Sequence, residues 1–122
     1  MQQLTAVCAA EDVIALQQQV KQIYCSKEVR AYVAAICAAT RNHPHLTLGA
    51  STRAAIALIR AAQANALLCG RDYIIPEDVQ QMCACVLCHR FVLSADARMR
   101  GLSEAQVLSE LLSSVRIPGR RR

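Results

Sequence analysis

Val29, Tyr32, Val33, Ile36 and Cys37 recur at i, i+3, i+4, i+7 and i+8, the spacing of one face of an α-helix. The same period runs through most of the chain and confines the fold to packed helices. Upstream, Val13, Leu16, Val20 and Ile23 predict a helix from Ala10 to about Gln22. Glu11 and Asp12 stand at its start, where the helix dipole favours negative charge. Ser26 is placed to cap the helix that carries Val29 to Cys37, which should stop near Arg41-Asn42, ahead of Pro44. Residues 43–50, His-Pro-His-Leu-Thr-Leu-Gly-Ala, read as a loop. Ser51 then caps a long Ala-rich helix through Cys69 that carries Ile56, Leu58, Ile59, Leu67 and Leu68. Apolar side chains on most of its sides predict the central, most buried helix, with Gly70 as its stop.

Pro76-Glu77-Asp78 opens the next helix, with proline in the first turn and acids at the positive end. Val79, Met82, Cys83, Val86 and Leu87 form its inner face. The period breaks between Ser94 and Gly101 and resumes after Ser103-Glu104-Ala105-Gln106, a capping-box match. Val107, Leu108, Leu111, Leu112 and Val115 follow, and Pro118 ends the last helix. Two short β-prone runs, Ile23-Tyr24-Cys25 and Asp72-Tyr73-Ile74-Ile75, are expected to pair as a minimal two-stranded ladder. The expected fold is therefore mainly all-α, a bundle of about five helices in one domain.

Composition narrows the functions available. With 122 residues at 54% hydrophobic content the chain can bury one core but cannot hold a complete P-loop nucleotidase, which needs a multi-stranded parallel sheet. Tyr24, Tyr32, Tyr73 and Phe91 are all the aromatic residues, too few for a platform that stacks bases. The net charge is +5, but Arg120, Arg121 and Arg122 supply three of those charges and leave +2 elsewhere. A basic nucleic-acid-binding face is not expected from that balance. The start Met-Gln-Gln-Leu-Thr lacks a basic, then apolar, signal pattern, and no apolar run approaches the ~18 residues of a membrane helix. Seven cysteines, most of them among Ala, Val and Leu, fit a reducing, cytoplasmic setting in which free thiols pack as small apolar groups.

Three places invite a chemical reading. Cys83-x-Cys85-x-x-Cys88-His89 looks like a metal cluster, but on a helix Cys83 and Cys85 point about 200° apart, so core packing is expected instead. His43 and His45 flank Pro44 with no carboxylate nearby in the loop, and are expected to be solvated. Arg53 stands in the first turn of the long helix, where the dipole disfavours a cation, directly after Gly49-Ala50-Ser51-Thr52. Its guanidinium suits an anion such as phosphate, but from the residues alone a surface or interhelix salt bridge is the expected role.

Four segments in register carry a resemblance. They are Thr40-Arg41-Asn42-His43-Pro44, then Leu48-Gly49-Ala50-Ser51-Thr52-Arg53-Ala54, then Gly70 through Val79, then Val86-Leu87-Cys88-His89-Arg90. Together with Gly101-Leu102-Ser103 and Val115-Arg116-Ile117-Pro118, they resemble the C-terminal lid domain of MoxR-family AAA+ ATPases from about Ala10 to Pro118. The resemblance implies a lid at 10–118, a remnant of linker from an ATPase core at 1–9 and a basic tail at 119–122. In this family the core binds ATP and Mg²⁺ and the lid folds over the nucleotide. The resemblance maps the sensor-2 arginine, which reaches the γ-phosphate, onto Arg53. The family often has proline where this chain has Thr52, and both suit a helix start.

The implied partners are the ATPase core, neighbouring subunits of a ring that is hexameric in the family, and client protein complexes that the ATPase helps to assemble. No membrane partner is expected. The chain lacks a Gly-x-x-x-x-Gly-Lys-Ser/Thr loop and an apolar strand ending in Asp-Glu, so it is expected to hydrolyse no ATP alone. The alternative is a histone-fold-like DNA-binding module, because Gly70 through Val79 also resembles the loop, strand and helix start of that fold.

Overall fold

The computed structural model describes residues 3–119. Arg120, Arg121 and Arg122, the basic tail of the sequence reading, lie outside the described residues. Among the described residues six α-helices appear in chain order: α1 Ala10–Val20, α2 Lys27–Arg41, α3 Thr52–Leu68, α4 Pro76–Leu87, α5 Ala95–Met99 and α6 Glu104–Ser114. A single 3-10 turn, Cys88–Arg90, follows α4 directly. Two short strands, β1 Leu46–Leu48 and β2 Val92–Leu93, pair antiparallel. The mainly α architecture with one small two-stranded sheet is as the sequence predicts, although the strands are not the predicted ones, and α5 raises the helix count by one.

Serine sets most of the helix starts. Ser26, Ser51, Ser94 and Ser103 each accept a hydrogen bond at Oγ from the backbone N–H three residues on, all at 3.2 Å. Ser103 and Gln106 close the expected box, with the Gln106 side chain accepting from the Ser103 N–H at 2.8 Å. Where no serine is available an aspartate at the third helical position does the work: Asp12 accepts from Ala9 N–H and Asp78 from Ile75 N–H. At the other end of α3, Gly70 adopts φ 78°, and the Gly70 and Arg71 N–H groups bond back to Leu67 and Ala66 carbonyls at 2.9 Å. That left-handed turn is the stop the sequence places there.

The core lies between α3 and α4, with α2 packed on α3 and α6 closing over α2 and α4. Ile36, Leu58, Val79, Leu87, Val107 and Leu111 are its large buried members. The five predicted face residues of α2 are all buried. The central helix corrects one expectation: α3 is not buried all round. It buries Ala54, Leu58, Ala62 and Ala66, one stripe at four-residue spacing, and leaves Ile56 and Leu68 exposed. Three alanines in that stripe let α4 approach closely, so the side that packs is the small side.

Two further expectations are corrected. The runs around Tyr24 and Tyr73 meet, but through one parallel bridge, in which Tyr24 N–H donates to Asp72 and Ile74 N–H donates to Tyr24. The ladder proper forms elsewhere, inside the segment read as a loop, where Leu46 pairs with Leu93 and Leu48 with Val92. Pro44 and Gly49 suggested a loop, yet between them Leu46-Thr47-Leu48 alternates in the strand manner. The cysteines are less uniformly interior than expected: Cys37 and Cys83 are buried, Cys25 and Cys88 partly so, and Cys8, Cys69 and Cys85 exposed.

Candidate functional site

The start of α3 is fixed to the end of α2 by a short set of polar contacts. Thr40, fully buried in the last turn of α2, donates from Oγ1 to the Cys37 carbonyl at 2.6 Å. The same oxygen accepts from the Ala50 N–H at 2.7 Å. Arg41 Nε donates to the Ala50 carbonyl at 2.9 Å. Both backbone groups of Ala50 are thus satisfied by side chains of α2. Between them sits Gly49, packed so tightly that a Cβ there would lie 2.6 Å from the Thr40 carbonyl carbon and 2.7 Å from the Arg41 nitrogen. Glycine is required by close approach of the two backbones.

Ser51 then caps α3, and Arg53 is its second residue. The Arg53 side chain is exposed and has no hydrogen-bond or ion-pair partner among the described residues. The salt bridge that the residues alone allowed is not formed among the described residues. A cation without a partner, held where the helix dipole opposes it, leaves its guanidinium free for an external anion. The first N–H groups of α3 lie beside it and favour the same kind of ligand. The position is rigid because the preceding turn is pinned at Gly49 and Ala50. In the sequence Thr40 and Arg41 stand only as part of a motif, without this role; a threonine and an arginine in the last turn of a helix, eight or nine residues before Gly49, were the signal on offer, and the burial of Thr40 appears only in the fold.

The Gly70-to-Val79 segment is a structural joint. Arg71 donates through both terminal nitrogens to the two oxygens of Asp78, each at 2.7 Å, and also to the Tyr73 carbonyl at 3.1 Å. Asn65 of α3 adds a bond to the Asp78 carboxylate at 2.8 Å. Burial alone would push the Asp78 carboxyl up. Hydrogen bonds from Arg71, Ile75 N–H and Asn65, with the Arg71 charge, outweigh it and hold the group below the usual carboxylate range. The joint ties the end of α3 to the start of α4.

Cys83 is buried and Cys85 exposed, on opposite sides of α4. Burial, with Cys37 and Cys88 nearby, pushes the Cys83 thiol up to about 12, so it packs without reacting. Among the described residues no three His, Cys, Asp or Glu side chains converge to hold a metal. The histidine loop is more ordered than expected: His45 N–H donates to His43 Nδ1 at 3.2 Å, and His45 Nδ1 is itself buried.

Residues 38–111 match the AAA lid domain family. The chain is 40% identical over 118 residues to the uncharacterized protein YeaC of Bacillus subtilis, covering 97% of this chain and 37% of that protein. It is 33% identical to chaperone MoxR1 of Mycobacterium tuberculosis, covering 95% of this chain and 33% of that one. A crystal structure from Cytophaga hutchinsonii, of a protein assigned as an ATPase, superposes with a TM-score of 0.83 at 32% identity. The match covers 88% of this chain and 35% of that protein. The chain spans about a third of the length of these relatives. Fold, matched region and relatives agree: the chain belongs to the AAA lid domain family, as a lid of the MoxR type.

Proposed function

We propose that the chain is the nucleotide-responsive lid of a MoxR-type AAA+ ATPase, with Arg53 as the residue that meets the γ-phosphate of ATP. The observation that carries this reading is the exposed guanidinium of Arg53, without a partner among the described residues, in the first turn of a helix whose start is locked to α2. A charge-assisted hydrogen bond from it contributes about 1.5–3 kcal/mol, enough to favour the closed lid while the γ-phosphate is present. Loss of that phosphate removes the contact and lets the lid swing, a hinge-type switch.

The chain has no phosphate-cradling Gly-x-x-x-x-Gly-Lys-Ser/Thr loop. An ATPase core would hold the remaining phosphates and Mg²⁺, and hydrolysis would require it. In this reading residues 10–118 are the lid, 1–9 belong to the linker, and core and neighbouring subunits assemble as a hexameric ring. Chaperone-like remodelling of client protein complexes in the cytoplasm is the proposed outcome, in keeping with the name of the mycobacterial relative. No helix of the described residues is long and apolar enough to cross a membrane. The test is Arg53→Ala in the ATPase that carries this lid, followed by steady-state ATP turnover. A fall of about tenfold or more in kcat/KM supports the assignment. Unchanged turnover and unchanged nucleotide affinity overturn it.

A further inference from the structure

Beside the Arg53 site the surface is neither smooth nor neutral. An open groove of about 280 Å³ runs between the C-terminal end of α1 and the outer face of α3, lined by Lys21, Ile56, Ile59, Arg60 and Gln63. Its wall is built: Gln63 donates from Nε2 to the Ile23 carbonyl at 2.8 Å and fixes the chain after α1 against α3. Its two ionisable lining residues, Lys21 and Arg60, are both cations, exposed and without an ion-pair or hydrogen-bond partner among the described residues. Ile56 is 54% exposed beside them; away from the groove lining, Val13, Ile14 and Leu16 of α1 are each more than 40% exposed. α1 buries no residue at all, although its apolar spacing is that of a packed helix.

Helix geometry ties this groove to the nucleotide site. Seven residues separate Arg53 from Arg60, so the two lie about 20° apart around α3 and about 10 Å apart along it. Whatever α3 approaches through Arg53 it also approaches through Arg60. A body that holds ATP against the first turn of α3 must run along the same face of that helix. The groove then meets that body's surface rather than the nucleotide. Two cations flanking one exposed and one half-buried isoleucine are complemented by carboxylates flanked by aliphatic side chains. Relatives of this chain carry about two thirds of their length beyond the matched third, which leaves ample polypeptide to supply such a segment.

We propose that the groove between α1 and α3 is the seat of an acidic, apolar-flanked segment of the chain's own ATPase core, anchored by Arg60 and Lys21 when the lid closes. The proposal rests on the reading of the chain as a nucleotide-responsive lid. It goes further by assigning the latch to residues that do not touch nucleotide. Closure then depends on two separate attachments along one helix, phosphate at Arg53 and carboxylate at Arg60.

The experiment places a photo-crosslinking amino acid at position 60 in the ATPase that carries this lid, with ATP bound, and maps the product by mass spectrometry. A crosslink within the same polypeptide, to a core peptide bearing Asp or Glu among aliphatic residues, is the expected result. Crosslinks to a neighbouring subunit or to a client, or no crosslink, overturn it. In parallel, Arg60→Glu and Lys21→Glu should each raise KM for ATP about tenfold with little change in kcat, a coupling typical of a conformational latch. The charge-reversed variants should regain KM when the crosslinked core carboxylate is replaced by lysine, which a merely unfolded variant cannot do. If Arg53→Ala impairs the enzyme while both reversals leave KM unchanged, the groove proposal fails and the sensor reading stands. If Arg53→Ala is silent while residue 60 still crosslinks to the core, the sensor reading fails and the docking surface stands.

Discussion

Thr40 does more for the candidate site than its position inside a helix suggests. Its hydroxyl bridges the Cys37 carbonyl and the Ala50 N–H, and it is fully buried. Thr40→Val keeps the shape and leaves the Ala50 N–H without that partner, so a loss of about 1–3 kcal/mol in unfolding free energy is expected in urea denaturation. A change within ±0.5 kcal/mol would mean that water replaces the hydroxyl there. Asp78 gives a second residue-level expectation. Its folded-state pKa lies below the unfolded value of about 3.9, so its stabilisation is complete above that value and is lost as pH falls through the folded value. Thermal unfolding of Asp78→Asn between pH 2 and 7, the window of carboxylate titration, should show lower stability at neutral pH and a shallower acid decline than the natural chain. Parallel curves would show that the carboxylate contributes no differential proton binding. Arg53 was legible as an anomaly, a cation against the dipole. Its lack of a partner was not, because that depends on what the fold brings near it.

Among the elements, α2 was readable from its period, and so were the start and inner face of α6, since each presents one broad apolar face to one core. The end of α6 was not: the helix stops at Ser114 and Val115 is already extended, four residues ahead of the expected stop at Pro118. α3 was misread in its environment rather than in its extent. Its bounds follow from Ser51 and Gly70, but burial fell on the alanine stripe because α4 packs closely there, and the bulkier Ile56 and Leu68 stayed outside. β1, β2 and α5 have three, two and five residues, less than one reliable period of any pattern. α1 carries a readable apolar stripe, but the sequence does not say what covers it, and among the described residues α3 does so only in part. Amide hydrogen exchange of the isolated chain should therefore find α1 the least protected of its long helices and α3 the most. Equal protection of the two would mean that α1 is as firmly docked as the core helices.

At the scale of the whole molecule, the architecture separates a rigid body from a reactive face. α2, α3, α4 and α6 enclose the core, and the Arg71–Asp78 joint and the Ala50 clamp fix how the helices connect. Arg53, Arg60, Lys21 and the exposed apolar residues of α1 are carried by α1, its end and α3. The family was legible because the four motif segments include the pinned turn and the charged joint that the fold cannot do without. The groove was not, because it exists only once α1 lies against α3. The central claim is that Arg53 reads the γ-phosphate, and calorimetric titration of ATP and ADP into the ATPase carrying this lid tests it most directly. Arg53→Ala should weaken ATP binding about tenfold or more and leave ADP binding within about twofold, as expected of one lost charge-assisted bond. Equal affinity for ATP before and after the substitution, or an equal loss for both nucleotides, would contradict it.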